Sequence, residues 1–522
     1  MLHLRWFLFI GFTTVFSYSS NDYSEVLDKA VGFYGAQRSG TEHNWILKQY
    51  PNAGACFTED GFSYQNNLDL SGGWHDAGDY LKFTTTIAWS AYALLKAYDA
   101  FPNAFPDKTD FYFGEPNGIP DVLDEVKWAT DYLVKIHLDS ATLVSQIGDY
   151  RDHNNGLTCI TMSTSGAEKG GNPRTVWFGN SNSNTTETKA DVMGITAASL
   201  ALMSNVYKNF DTDYANSLIP HARQLYATAK DRPGTTNEPP NQSYYKDASY
   251  YDDLSCAAVE LGRTTGNTSY IEEAVQYHNQ VGNHNWVVDW AQHIDYCRHS
   301  LAKAGKANDV KNQWKSDVDR YRGKVTQQQY VKGLAFFLNW GSLRYALNAG
   351  FSAALYHDIY NDSLADAFAK SQIDYVMGEN EYDRSFIVGW GKNAPQRPHH
   401  KNAFGKDSWF NANSVPLYEL TGAVVGGPHN ESYSDGSLTS PAGYQDKMND
   451  YSNEYGKSWE EINTAINNSK KPSNKKPIII ALSSILVVIS LSSILYFKSN
   501  NENNIKSENI KELKDSTIHK SN

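Results

Sequence analysis

From Thr85 to Met377 the apolar residues return again and again at intervals of three and four, and strand-like alternation is scarce. That periodicity restricts the chain to an all-α architecture. In Thr85–Tyr98 the stripe is Ile87, Trp89, Tyr92, Leu94, Leu95 and Tyr98. Gly118-Ile119-Pro120-Asp121 opens a second helix with Pro in its first turn, and Leu123, Val126, Ala129, Leu133 and Ile136 continue its stripe. Further helices are expected at 190–208, 216–228, 252–263, 270–277, 294–303, 314–321, 342–360 and 364–377, joined by loops rich in Gly, Asn, Ser and Pro. The residues before Thr85 read as loop-rich. No linker divides residues 21 to about 465, so one large domain is expected. Many amphipathic helices of similar length suit helical hairpins stacked around an axis. Such a toroid gathers loops from one helix ring at a common mouth.

The two ends differ from this pattern. Residues 1–20 carry His3 and Arg5, an apolar run from Trp6 to Phe16, and small residues at Ser17, Ser19 and Ser20, which together read as a secretory leader cleaved near Ser19–Asn21. Residues 467–477 are polar, Lys-rich and read as a stalk. Residues 478–497 are uncharged and long enough to cross a bilayer. A polar tail, 498–522, follows, so the apolar segment is not the terminal signal for a lipid anchor. The expectation is a single-pass membrane protein with its large domain extracellular or lumenal. Lys470, Lys471, Lys475 and Lys476 flank the span on the side that is usually poor in positive charge, but long domains translocate largely regardless of it. Glycosylation sequons begin at Asn184, Asn241, Asn267, Asn361, Asn430 and Asn467, all before the span. Cys56, Cys159, Cys256 and Cys297 have no zinc-motif spacing; in an oxidising compartment they allow two disulfides in any of three pairings, or else stay free and buried. The net charge of −12, with no long basic run, argues against nucleic acid as a partner.

Within the domain the stretch Gly72-Gly73-Trp74-His75-Asp76-Ala77-Gly78-Asp79-Tyr80 places two carboxylates three residues apart among glycines and aromatics, just before the helix at Thr85. One Asp there would be an ordinary helix cap. Two, with Trp74 and Tyr80 alongside, can hold and deprotonate a water beside a sugar ring. The 34 Tyr and 13 Trp suit a groove that stacks on flat ligands. Other polar loops hold His153 (in Gln146 to His153), Trp340 (in Asn339 to Tyr345) and His399 (in Arg397-Pro398-His399-His400-Lys401). Trp340 can stack on a sugar and a histidine can hydrogen-bond hydroxyls.

These stretches, in this order, resemble glycoside hydrolase family 9, the cellulose-cleaving endoglucanases. Also matching are Gln37 to Gly40, Pro116 to Asp121 with Leu123-Asp124-Glu125, Gly333 to Phe337, Gln372 to Tyr375, Ser385 to His400, and Gly422 to Pro428. The resemblance spans residues 23–455. It implies an (α/α)6 barrel and inverting hydrolysis of β-1,4-glucans. By the family's pattern Asp79 is the base, Asp76 helps hold the water and His399 binds substrate. From the residues themselves Trp74, Tyr80, Trp340 and His153 are taken as further substrate contacts, with packing the alternative for Trp340 and a structural role the alternative for His153. The expected partners are a β-1,4-glucan and the membrane, with the chain acting as a monomer.

The match weakens around the general acid. Tyr444-Gln445-Asp446 and Tyr451 fit, but Glu454 stands three residues after Tyr451 where the pattern has four, and Gly456 and Glu460 replace the residues expected downstream. One residue on a helix turns a carboxyl by about 100°. Glu454 is the candidate acid; the alternative is a degenerate relative that binds glucan without cleaving it. Lys401 replaces an Arg, losing a planar bidentate donor, and Gly156 stands where a Trp is common. In the region of the family's occasional calcium site Asp252 and Asp253 match the carboxylates, while Ala248 and Ala291 stand at positions of oxygen ligands. Two carboxylates fall short of the six to eight oxygens that calcium takes, so no cofactor is expected, with a structural calcium left as an option.

Overall fold

The computed structural model describes residues 18–40, 56–65, 68–76, 78–108, 114–149, 152, 174–179, 187–239, 244–282, 284–327, 331–338, 341–380, 383–396, 398, 400–404 and 419–428. The long helices, in chain order, are α1 (Ser20–Phe33), α2 (Thr84–Ala100), α3 (Asp121–Lys135), α4 (Ala190–Tyr207), α5 (Thr212–Asp231) and α6 (Tyr251–Thr265). They continue as α7 (Thr268–Val281), α8 (Ile294–Leu301), α9 (Ala307–Gln327), α10 (Ser342–Tyr360) and α11 (Ser363–Met377).

Even-numbered helices form an inner ring. α2 packs on α4, α4 on α6, α6 on α8 and α8 on α10. Their composition explains the position. In α4 (ADVMGITAASLALMSNVY) every residue but two is buried, and a helix apolar all round must lie inside other helices. α2 and α10 are enclosed to a similar degree. The odd-numbered helices lie outside and bury one face. α5, for instance, buries Ala215, Leu218, Ala222, Leu225, Tyr226 and Ala229, at the three- and four-residue spacing of one stripe. α1 packs against α3, and Tyr23 of α1 donates its hydroxyl to Asp374 of α11. First and last outer helices therefore meet, which closes the ring. Among the described residues this gives six outer and five inner helices, the toroid of hairpins that the periodicity predicted.

Two sequence readings change. Ser20–Phe33 is a helix, not loop: Ser19 and Asp22 form a capping box at its start, and Tyr23, Val26, Leu27, Ala30 and Val31 make the buried stripe. Ser19 and Ser20, assigned by sequence to the leader, thus cap and begin α1. Pro120 is the N-cap of α3 and does not lie in its first turn. Among the described residues no helix is long and apolar enough to cross a membrane; residues 1–17 and 429–522, with the expected leader core, stalk, span and tail, lie outside them.

The disulfide Cys256–Cys297 joins α6 to α8, and Cys56 is disulfide-bonded too. At one end of the ring the cavity between inner helices is filled by a buried polar network. Lys96 Nζ of α2 reaches Ser300 Oγ of α8 (2.6 Å), and Tyr92 donates to Glu260 of α6 (2.9 Å). The network ends in Arg263, which forks onto Asp99. Lys96 and Asp99 lie at the C-terminal end of α2, so the other end, where α2 begins, is the mouth.

Candidate active site

The loop with the two carboxylates enters α2 at that mouth. Gly72 and Gly73 have φ of +97° and +72°. At Gly73 a Cβ would lie 2.6 Å from the Tyr132 ring, so only glycine serves. Several of the motif stretches named in the sequence prove to be parts of one support. Gln37-Arg38-Ser39 runs antiparallel to the loop: His75 N–H donates to Gln37 O (2.7 Å) and Ser39 N–H to Gly73 O (2.9 Å). Arg38 forks onto the fully buried Glu125 (3.1 and 2.9 Å), which also takes the Trp74 indole N–H (2.9 Å). Glu125 belongs to the Leu123-Asp124-Glu125 motif, so that motif exists to hold Trp74 and Arg38 under the loop.

A second support is one that the sequence did not suggest. Asp60 receives Arg174 through two nitrogens (2.8 and 2.6 Å) and lies 2.6 Å from Lys82 Nζ, with all three side chains sealed from solvent. Arg174 also donates to Tyr80 O, and Lys82 to Leu70 O and Gly72 O. The ends of the loop are thus fastened by backbone carbonyls to a buried ion triad. Burial depresses the Lys82 ammonium to about 8, against the pull of Asp60. For Asp60, burial pushes upward but is outweighed by Arg174 and Lys82, so its carboxyl is held below the usual range. Asp60, Lys82 and Arg174 are far apart in sequence and form no motif.

Asp76 is enclosed and doubly bonded. Thr86 Oγ1 donates to its Oδ1 (2.9 Å), and Tyr245 OH, from the segment before α6, donates to its Oδ2 (2.7 Å). Burial and the neighbouring Asp79 charge push the Asp76 carboxyl well above its ordinary range, opposed by those two bonds and by Arg344. Asp79 Oδ1 accepts the Leu81 N–H (2.9 Å). Two carboxyls three residues apart on one loop, with Asp76 pushed up by burial, are an arrangement that can orient a water and take its proton.

Other inner-ring loops converge here. Tyr245 packs edge-on against Trp290, which precedes α8, and the Arg344 guanidinium of α10 lies over the Trp290 ring. Lys401 N–H donates to Gly78 O (2.8 Å), and its ammonium donates to Asp152 O (2.8 Å) over the Tyr80 ring. Lys401 therefore ties three loops together, a use that leaves the lost bidentate donor unreplaced. His400 Nε2 lies 3.0 Å from Gln37 Oε1.

The structure thus brings Asp76 and Asp79 together at the mouth as expected. It corrects Trp74 and Tyr80, which were expected beside the sugar. Trp74 is buried with its N–H on Glu125, and Tyr80 is buried between Phe57 and His75. Both build the wall behind the carboxylates, because flat side chains adjoining glycines also fill interior space. His153, Trp340, His399 and Glu454 lie outside the described residues. Tyr245 and Thr86 were missed; the only local signal was the pair Tyr244-Tyr245 in a polar loop before a helix.

The same packing bears on the two carboxylates that match the family's occasional calcium site. Asp252 Oδ2 accepts the His293 backbone N–H (2.7 Å), and Asp253 Oδ1 lies 3.2 Å from His293 Nε2. Two carboxylates with an imidazole nitrogen beside them do not fit calcium, which takes six to eight oxygens.

A sequence profile of glycosyl hydrolase family 9 matches residues 23–460. The chain belongs to this family. It is 32% identical over 458 residues to Endoglucanase A of Bacillus pumilus, an alignment covering 81% of this chain and 63% of that protein. With Endoglucanase 15 of Arabidopsis thaliana it shares 30% over 475 residues, covering 80% and 89%. The chain spans 63% and 65% of the lengths of two Bacillus endoglucanases that it matches. Among solved structures, cellulase Cel9M of C. cellulolyticum superposes with a TM-score of 0.68 at 27% identity, covering 90% of this chain and 98% of the other. The endoglucanase of the termite Nasutitermes takasagoensis also gives 0.68 at 27%, covering 91% and 100%. Endoglucanase CelQ from Clostridium thermocellum, solved with cellotriose, gives 0.65 at 26%, covering 89% and 70%. The (α/α)6 barrel expected from sequence is the fold of this chain.

Proposed function

We propose that this protein is an endo-β-1,4-glucanase that cleaves cellulose or a related β-1,4-glucan with inversion at the anomeric carbon. The observation that carries the reading is the Asp76–Asp79 pair, fastened at the mouth of a family 9 barrel by three separate parts of the chain. Asp79 acts as base on a water that Asp76 helps hold. Glu454 protonates the leaving oxygen from the opposite face; inverting sites keep the two carboxyls about 6.5–9.5 Å apart to admit the water. His399, Trp340 and His153 contact the sugar. The cellotriose bound by the related CelQ supports a glucan substrate. The protein acts as a monomer, displayed outside the cytoplasm on a single C-terminal span; the leader-like residues 1–20, the sequons and the Cys256–Cys297 disulfide support that placement.

The test is release of reducing sugar from carboxymethylcellulose by the full chain. Asp79→Asn and Glu454→Gln are each expected to lower kcat by about 10²–10⁴-fold with folding retained. Binding of glucan with no turnover by the wild type would instead establish a non-hydrolytic glucan-binding protein.

A further inference from the structure

Asp247, Asp253 and His293 each offer one ligand atom, and the three atoms lie within 4.8 Å of one another. All three side chains are buried, His293 and Asp253 almost completely. Buried polar groups are nearly always hydrogen-bonded. Here Asp253 Oδ2 and Oδ1 of the adjoining Asp252 have no hydrogen-bond partner among the described residues, while His293 Nε2 faces Asp253 Oδ1 at 3.2 Å. Carboxyl groups packed this closely in a buried place repel one another when charged. A divalent ion removes the repulsion and satisfies the orphaned atoms at once.

We propose that Asp247, Asp253 and His293 bind a divalent metal ion of the zinc class, in place of the calcium that some family members hold nearby. One imidazole nitrogen with two carboxylate oxygens is a donor set that zinc accepts in four-coordinate geometry. Calcium is selected against by the nitrogen and by the small number of oxygens. The site is rigid before metal arrives. Asp253 is on α6 and His293 caps α8, and the Cys256–Cys297 disulfide joins the same two helices one turn further on, with Cα atoms 4.7 Å apart. Gly194 of α4 packs so closely on Asp253 that an added Cβ would lie 2.7 Å from the Asp253 Cβ, which fixes that carboxylate from the third side. The ion clasps inner helices α6 and α8 and contributes to stability, away from the carboxylates of the mouth.

The test uses the full chain stripped with a chelator, then melted with zinc chloride or calcium chloride, with metal content measured after desalting. Zinc is expected to remain at about one ion per chain and to raise Tm by roughly 3–5 °C at about a hundredfold excess over Kd. Calcium is expected to do neither, and cobalt is expected to give the visible d–d bands of a tetrahedral site. Asp253→Asn and His293→Ala are each expected to lose the zinc response. If one variant fails to fold, the other and the cobalt spectrum of the wild type decide the matter. Stabilisation by calcium equal to that by zinc, no bound metal, or an undiminished zinc response in a folded variant would each overturn the proposal.

Discussion

Tyr245→Phe removes one hydroxyl and keeps the ring, so the edge contacts with Phe83 and Trp290 survive. The lost group is the donor to Asp76 Oδ2 at 2.7 Å. A hydrogen bond to a charged acceptor contributes about 1.5–3 kcal/mol, which corresponds to about 1–2 pKa units. Burial and the Asp79 charge raise the Asp76 carboxyl, and the Tyr245 bond opposes them. Its removal therefore moves Asp76 further up. If water must be held by the Asp76 carboxylate, the acidic limb of kcat/KM for carboxymethylcellulose shifts to higher pH by about 1–2 units. At a pH on that limb the rate falls by about 10–100-fold, and it recovers as pH rises. Thr86→Val, which removes the donor to the other oxygen, should shift the limb the same way. The linkage sign is fixed as well. Asp76 has a folded pKa above its unfolded one, so its contribution to stability is complete below the unfolded pKa and is lost as pH rises through the folded pKa. In Tyr245→Phe that loss extends to higher pH, measurable by urea unfolding at a series of pH values. An acidic limb that stays in place or moves down, with folding intact, would refute the reasoning.

Glu125→Gln leaves Arg38 and the Trp74 N–H without their buried carboxylate and should cost about 3–5 kcal/mol in urea unfolding, with activity falling as the loop loosens. Replacing both Cys256 and Cys297 by Ser opens a link across 41 residues and should cost about 2–4 kcal/mol, read as a lower urea midpoint. Lys82, near 8 in the folded state and 10.5 unfolded, gives the unfolded chain the extra proton between those values, so wild-type stability should rise by about 3 kcal/mol across that window. Lys82→Met should lack this rise, even if it is less stable overall; an identical pH profile would show that Lys82 is not its source.

Much of the fold was legible because helix pairs bury stripes, and stripes repeat in sequence. The spans at Ser342–Tyr360 and Ala190–Tyr207 were read almost residue for residue, since inner helices are apolar nearly all round and end at Gly or polar turns. α1 was missed because its stripe of Tyr, Val, Leu and Ala is diluted by acidic residues and follows directly on a leader-like run.

The sequence by itself determined the family and the helical ring and pointed to the carboxylate pair, because motif order, periodicity and short-range spacing are properties of the chain as written. Only the tertiary structure decided what surrounds that pair. Trp74 and Tyr80 look the same in sequence whether they face a sugar or a wall, and enclosure assigned them to the wall. Tyr245, 169 residues from Asp76, and the triad of Asp60, Lys82 and Arg174 carry no local pattern, because contacts between distant segments obey the geometry of packing and not the spacing of letters. The same holds for Asp247, Asp253 and His293, which only the packing of α6 against α8 brings to one point.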